Sequence, residues 1–217
     1  MKTALVFGAT GFIGSYLLEE LLNGSDYDCV TAVTRKPMQT KHPKLTNLIG
    51  DYNSLSAIRS RLIADDVFIV IGTTKANTPD ESLYYQIDHD YPVLAAKFAK
   101  ENGAKSVFLV TSVGADANSK FFYTKTKGET ERDVRALNYG STNIFRPSML
   151  MGSRKEHRQL ESILITAWSL LNLVLVGSFS QYKGIDGKDV ARAMANSAKA
   201  PPQGVKIYHW DEMSALL

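Results

Sequence analysis

Apolar residues follow two alternating rhythms along this 217-residue chain. Short unbroken apolar runs, such as Val67-Phe68-Ile69-Val70-Ile71, take turns with longer stretches whose apolar side chains return every three or four positions. An unbroken run fits a strand covered on both faces, and the longer period fits a helix with one buried stripe. The runs predict strands over Thr3–Gly8, Cys29–Thr34, Leu45–Ile49, Val67–Ile71, Ser106–Thr111 and Asn143–Phe145, with a late strand over Val205–Tyr208. Helices are predicted over Phe12–Asn23, where Leu17, Leu18, Leu21 and Leu22 form the stripe, and over a short segment from a Ser54 cap to Arg61. Longer ones follow over Glu81–Asn102, ended by Gly103, and Phe122–Asn138. Two more are predicted over Glu156–Leu175 and Gly187–Ala198, the second capped by Asp186.

Strands buried on both faces and separated by amphipathic helices imply an α/β fold: a doubly wound parallel sheet with helices on both sides. The length suits one domain over 1–217. After Arg146-Pro147 the rhythm changes, and residues 147–217 read as a small helical extension, a partial lid on the carboxyl edge of the sheet.

Composition narrows the classes. Hydrophobic residues at 44% and charged residues at 22% suit a soluble globular protein. A net charge of +3 suits anionic ligands but calls for neither nucleic acid nor a membrane. The most apolar stretch, Ile163 to Val176, is broken by Thr166, Ser169 and Asn172 and is too short to span a bilayer. The lone Cys29 permits no internal disulfide, and a strand starting at Thr3 leaves no room for a cleavable signal, so a cytoplasmic location is expected. Four histidines lack ligand spacing, and no metal site is expected.

Gly8-Ala9-Thr10-Gly11-Phe12-Ile13-Gly14 lies where the first strand turns into the first helix. The opening N–H groups of a helix lack internal partners and favour an anion. Gly8 would allow the tight turn, Gly11 the approach of a diphosphate, and Gly14 close packing of helix on strand. The spacing is G-x-x-G-x-x-G, so a dinucleotide is expected on Gly8, Thr10, Gly11, Phe12, Ile13 and Gly14. The second strand ends Val33-Thr34-Arg35-Lys36, without the carboxylate that binds a free ribose 2′-hydroxyl. Arg35 could grip a 2′-phosphate with Lys36 beside it, which points to NADP(H) over NAD(H), or both could belong to a solvated basic loop. Asp51, with Tyr52, could meet the adenine or cap a turn. Gly72-Thr73-Thr74 follows the fourth strand, where ribose or phosphates would lie.

Tyr123 and Lys127 lie four residues apart on one predicted helix, so both face the same side. A carbonyl accepting hydride needs a proton, and a phenol titrating near 10 gives one up readily only beside a cation. Ser112 at the end of the fifth strand could orient the carbonyl, with Thr111 as fallback. Chance spacing of tyrosine and lysine on a helix surface is the competing reading.

These segments resemble the short-chain dehydrogenase/reductase superfamily, its atypical or extended members in particular, over essentially the whole chain. The glycine segment is similar to the extended-type motif, and Tyr123 with Lys127 to the active-site pair. Phe145-Arg146-Pro147-Ser148 is similar to the loop lining the nicotinamide, and Asp186 to Ala193 to a tail helix packed on the sheet. Thr111 to Asp116, followed by Phe122-Tyr123 and Lys127-Gly128-Glu129, resembles the small Tat-interacting-protein branch. The resemblance implies a Rossmann fold and cofactor contacts from Thr111, Lys127, Arg146 and Pro147. It also implies a residue relaying protons to the lysine, an asparagine in many members, for which Asp88 is the nearest candidate here. Residues 147–217 are too few for the sugar lobe of nucleotide-sugar epimerases.

The expected activity is NADPH-dependent reduction of a small aldehyde or ketone, with a small-molecule carbonyl substrate and Ser112, Tyr123 and Lys127 as catalytic residues. A non-catalytic NADP(H)-binding regulator is the competing class, and a sugar-nucleotide epimerase or dehydratase a third. Met149, Leu150 and Met151 could line an apolar pocket. Arg154, Lys155, His157 and Arg158 read as a solvated helix start, and Trp168 as core or dimer face. Tyr84, Tyr85 and Tyr91 on the long helix make a homodimer plausible.

Overall fold

A computed structural model describes residues 2–152, 175 and 177–217. Strands β1 (Thr3–Phe7), β2 (Cys29–Thr34), β3 (Leu45–Ile49), β4 (Asp66–Ile69), β5 (Ser106–Val110), β6 (Ser141–Phe145) and β9 (Gly204–Tyr208) form one sheet in the order β3-β2-β1-β4-β5-β6-β9. Every neighbouring pair runs parallel. Strand order reverses between β1 and β4, which opens a crevice at the carboxyl ends of those strands. A second sheet pairs β7 (Leu150–Met151) with β8 (Ile185–Asp186).

Alternation along each strand divides the core in two. Val6, Phe68, Phe108 and Phe145 pack with α1 (Phe12–Asn23) and α5 (Gly187–Ser197). Leu5, Phe7, Val67, Ile69 and Leu109 pack on the other face with α3 (Tyr91–Glu101) and α4 (Phe122–Ala136). Rings stack across strands, Phe68 on Phe108 and Phe145 on Tyr208, each pair with centroids 4.6 Å apart. Such pairs contribute about 0.5–1.5 kcal/mol beyond burial.

The predicted strands form with ends shifted by one or two residues, and the segment after Ser54 is a 3-10 helix, Leu55–Arg61. The long predicted helix differs more. It is α2 (Glu81–Tyr85), a π turn over Gln86–Asp90, and then α3. Pro92 accounts for part of this, because it has no N–H to donate to the carbonyl of Asp88 four residues earlier. The Thr130 hydroxyl donates to that carbonyl instead, at 2.9 Å.

The described part of the tail packs on the sheet and on α1. β9 adds a seventh strand beside β6, and α5 lies against α1, with Val190, Ala191 and Met194 joining the leucine stripe. The Phe12 ring lies so close to Gly187 that a Cβ there would meet it at 2.6 Å. The Asp186 carboxylate caps α5, accepting from Lys188 N–H at 2.8 Å. A last short helix, α6, covers Trp210–Ser214. The helix expected over residues 156–175, the basic residues at its start and Trp168 fall outside the described residues, Leu175 excepted. Among the described residues no helix is long and apolar enough to cross a membrane.

Candidate functional site

Parallel strands put all their carboxyl ends on one edge, so segments far apart in sequence line one crevice. Gly8–Gly14 follows β1, Arg35 and Lys36 follow β2, Asp51 and Tyr52 follow β3, and Gly72–Thr74 follows β4. Thr111 and Ser112 follow β5, and Arg146 and Pro147 follow β6.

The glycine turn is tight. Gly8 has φ +88°, and a Cβ there would meet the Val70 carbonyl oxygen at 2.7 Å. A Cβ at Gly14 would sit 2.0 Å from the Gly8 oxygen, so helix and turn touch through backbone. Gly11 N–H donates to the Gly8 carbonyl at 2.9 Å, and Thr10 and Gly11 are exposed at the tip. Ile13 is buried, and Phe12 is half-buried against Tyr16, Gly152 and Gly187. Helix α1 has no side-chain cap and no acidic residue in its first turn. A helix N-terminus with no side-chain cap and no competing carboxylate fits a diphosphate.

Arg35 is exposed and makes no ion pair among the described residues, and Lys36 is exposed beside it. Arg35, Asp51 and Tyr52 gather around Tyr91. The Tyr91 phenol is pushed up to about 12 by burial, with Asp51 adding to the rise and Arg35 opposing it. Tyr52 meets Tyr91 edge-on, centroids 6.2 Å apart. The Asp51 carboxylate accepts from Ser54 N–H at 3.0 Å and from the Ser54 hydroxyl at 2.7 Å. These bonds hold its carboxyl below the usual carboxylate range. Of the two readings of Asp51, the structure displays the turn cap.

Lys127 is buried in α4, one turn beyond Tyr123, and its ammonium reaches the end of β4. A Cβ at Gly72 would lie 3.6 Å from both Lys127 Nζ and Asp88 Oδ1. Those two atoms are 2.5 Å apart, an ion pair rather than an aligned hydrogen bond. The other Asp88 oxygen accepts from Thr73 N–H at 2.8 Å. The Thr73 hydroxyl bonds Thr78 at 2.8 Å, and the Thr74 carbonyl closes a turn on Asn77 and Thr78, so both side the crevice through internal bonds. Tyr123 is 47% exposed, and Phe122 packs edge-on against Tyr84, centroids 5.5 Å apart. Burial, then Asp88, then Tyr123 push the Tyr84 phenol up.

Ser112 is buried, and its Oγ has no hydrogen-bond partner among the described residues. A buried hydroxyl left unpaired costs free energy unless something arrives to bond it. Thr111 and Arg146 face elsewhere. The Thr111 hydroxyl donates to Glu131 Oε1 at 2.7 Å. Arg146 grips both oxygens of the same carboxylate, Nε at 2.8 Å and Nη2 at 2.6 Å. A carboxylate as buried as Glu131 needs a cation, and Arg146 supplies one. Pro147 is buried, its carbonyl accepting from Val113 N–H at 3.0 Å. Sequence reading passed over Glu131, although its place one turn beyond Lys127 was a signal. Among the described residues no group of His, Cys, Asp and Glu could hold a metal ion.

Comparisons with known proteins agree with this geometry. The family described as NAD(P)H-binding matches residues 8–164. The protein named fmp52, mitochondrial, of Aspergillus niger is 34% identical over 171 residues, 76% of this chain and 73% of its own. Its namesake in Candida albicans is 33% identical over 207 residues, 91% of this chain and 88% of its own. The cytoplasmic expectation is thereby corrected: these relatives are named as mitochondrial proteins, which a single cysteine could not reveal. Among solved structures, MoeE5 in complex with UDP-glucose and NAD aligns with TM-score 0.69 at 21% identity, covering 98% of this chain and 80% of that one. A UDP-N-acetylglucosamine 4-epimerase from Methanobrevibacter ruminantium aligns with TM-score 0.71 at 20% identity, covering 96% and 76%. At such identities the likeness is one of fold.

Proposed function

Because this chain belongs to the NAD(P)H-binding family, we propose that it is an oxidoreductase of the short-chain dehydrogenase/reductase type, reducing a small aldehyde or ketone with NADPH. The observation that carries the reading is the buried Lys127 ammonium, held by Asp88 at the end of β4 one helical turn from Tyr123. A surface lysine that matched the spacing by chance would stand in solvent.

The dinucleotide, when bound, supplies the hydride. The open N-terminus of α1 and the Gly8–Gly14 turn would hold its diphosphate, and Arg35 its 2′-phosphate. Ser112 Oγ, otherwise unpaired, would donate to the substrate oxygen. Tyr123 would deliver the proton, with the Lys127 cation supporting charge on its oxygen. Asp88 keeps that cation inside the fold and facing the crevice. The order of Thr111–Asp116, Tyr123 and Lys127 supports placing the chain beside the small Tat-interacting-protein branch. The competing reading, a cofactor-binding regulator, leaves the pairing of Lys127 with Asp88 beside Tyr123 without a task.

The test is a panel of aldehydes and ketones incubated with the protein and NADPH, followed by loss of nicotinamide absorbance. Turnover of a carbonyl that disappears in Tyr123→Phe supports the reading. NADPH binding with no turnover across the panel turns it toward the regulator.

A further inference from the structure

A cavity of about 420 Å³ opens beside α4, away from the glycine turn. Arg132, Arg135 and Arg146 line it with Glu131, beside the close backbone contact of Gly128 with Asp116 and Ala117. A carboxylate has about four acceptor positions. Those of Glu131 are taken by Thr111 Oγ1, Arg146 Nε, Arg146 Nη2 and Arg135 Nη2, the last at 3.0 Å. Two guanidinium cations therefore share a single carboxylate with no acceptor capacity left. Arg135 Nε is buried and has no hydrogen-bond partner among the described residues.

Other charges at the cavity have partners of their own. Arg132 is matched by Asp133, through contacts at 2.7 and 3.0 Å. Asp116 brings a carboxylate to the lining, one oxygen accepting from Asn118 N–H at 2.9 Å. Among the described residues Glu131 is the one carboxylate bonded to either Arg135 or Arg146, and its acceptor positions are filled.

We propose that this cavity binds a small oxyanion, a molecule carrying a phosphate or carboxylate group, seated on Arg135 and Arg146. The guanidinium N–H groups that Glu131 leaves unbonded suit such a group. The site is separate from the glycine turn and does not depend on the proposed reduction. It adjoins the crevice through Thr111, next to Ser112, and through Glu131, one turn beyond Lys127.

The test is calorimetric titration of the whole protein with inorganic phosphate and, separately, with citrate, at constant ionic strength and with NADPH either absent or saturating. Saturable one-to-one binding of either anion is expected, at a Kd on the order of millimolar or tighter, with NADPH saturating. Arg135→Gln should weaken it about tenfold or more, and Arg135→Lys by less, because the charge stays while the planar edge goes. Whichever anion binds identifies the headgroup. No saturable heat from either anion overturns the proposal, as does equal binding in Arg135→Gln with its circular dichroism unchanged. Displacement of the anion by NADPH also overturns it, because the anion would then have occupied the dinucleotide cradle. Failure of NADPH itself to bind would count against the reductase reading and leave the anion titrations decisive for this cavity.

Discussion

Asp88 and Lys127 meet as a buried ion pair, 2.5 Å apart, although 39 positions separate them in the chain. Asp88 gets there because the π turn over Gln86–Asp90 shifts its register, and π turns inside helices gather at functional sites. Removing one partner leaves the other buried and uncompensated. Asp88→Ala should therefore destabilise the fold by about 3 kcal/mol or more, read as a lower urea midpoint. Adding Lys127→Met should restore part of the loss, and strictly additive losses would show that the two do not act as a pair.

Tyr123 is half exposed, so Tyr123→Phe should shift stability by no more than about 0.5 kcal/mol. NADPH affinity should stay within about twofold while turnover of any carbonyl found falls on the order of 100-fold or more. Retained turnover would remove this phenol from the chemistry.

Arg35 is exposed at the end of β2 and makes no ion pair among the described residues, which suits a dianionic phosphate. Fluorescence titrations should show tighter binding of NADPH than of NADH, by about tenfold or more. Arg35→Asp should erase or invert the preference, and equal affinities in the parent protein would defeat the NADP(H) assignment.

Gly14 has no space for a methyl group, with the Gly8 oxygen 2.0 Å from where it would sit. Gly14→Ala must push α1 away from the turn, so a loss of about 1–3 kcal/mol in stability and a marked loss of dinucleotide affinity are expected. An alanine variant that binds as tightly as the parent would separate this turn from the cofactor.

His209 provides a pH signature. Burial, then the Arg146 cation, push its imidazole below the ordinary histidine value near 6.5. The unfolded chain then takes up a proton before the folded one does. The contribution of His209 to stability is full above about pH 6.5 and is lost as pH falls through the depressed folded value. Thermal melts should show stability declining on that acid side, and His209→Gln should flatten the decline. An unchanged slope in the variant would assign the effect to other groups.

Much of this protein was legible in its sequence. The leucine stripe of α1, the apolar runs of β4 and β5 and the three glycines are local patterns. Each follows from what one strand, one helix or one turn must bury or leave open, whatever surrounds it. The doubly wound parallel sheet followed from their alternation. Tertiary structure alone decided the rest. Pro92 hinted at a break in the long helix, but that the break is a π turn aiming Asp88 at Lys127 depends on Thr130, which lies on another helix. Arg146 and Thr111 read as cofactor contacts, and the structure bonds both to Glu131, a carboxylate that closes the network only once α4 lies against the ends of β5 and β6. Residues 147–217 read as a partial lid, yet within them α5 packs on α1 and β9 pairs with β6, where apolar faces awaited cover. The reason is the same throughout: periodicity reports what a segment must hide, and only the assembled fold supplies the partner for each buried charge.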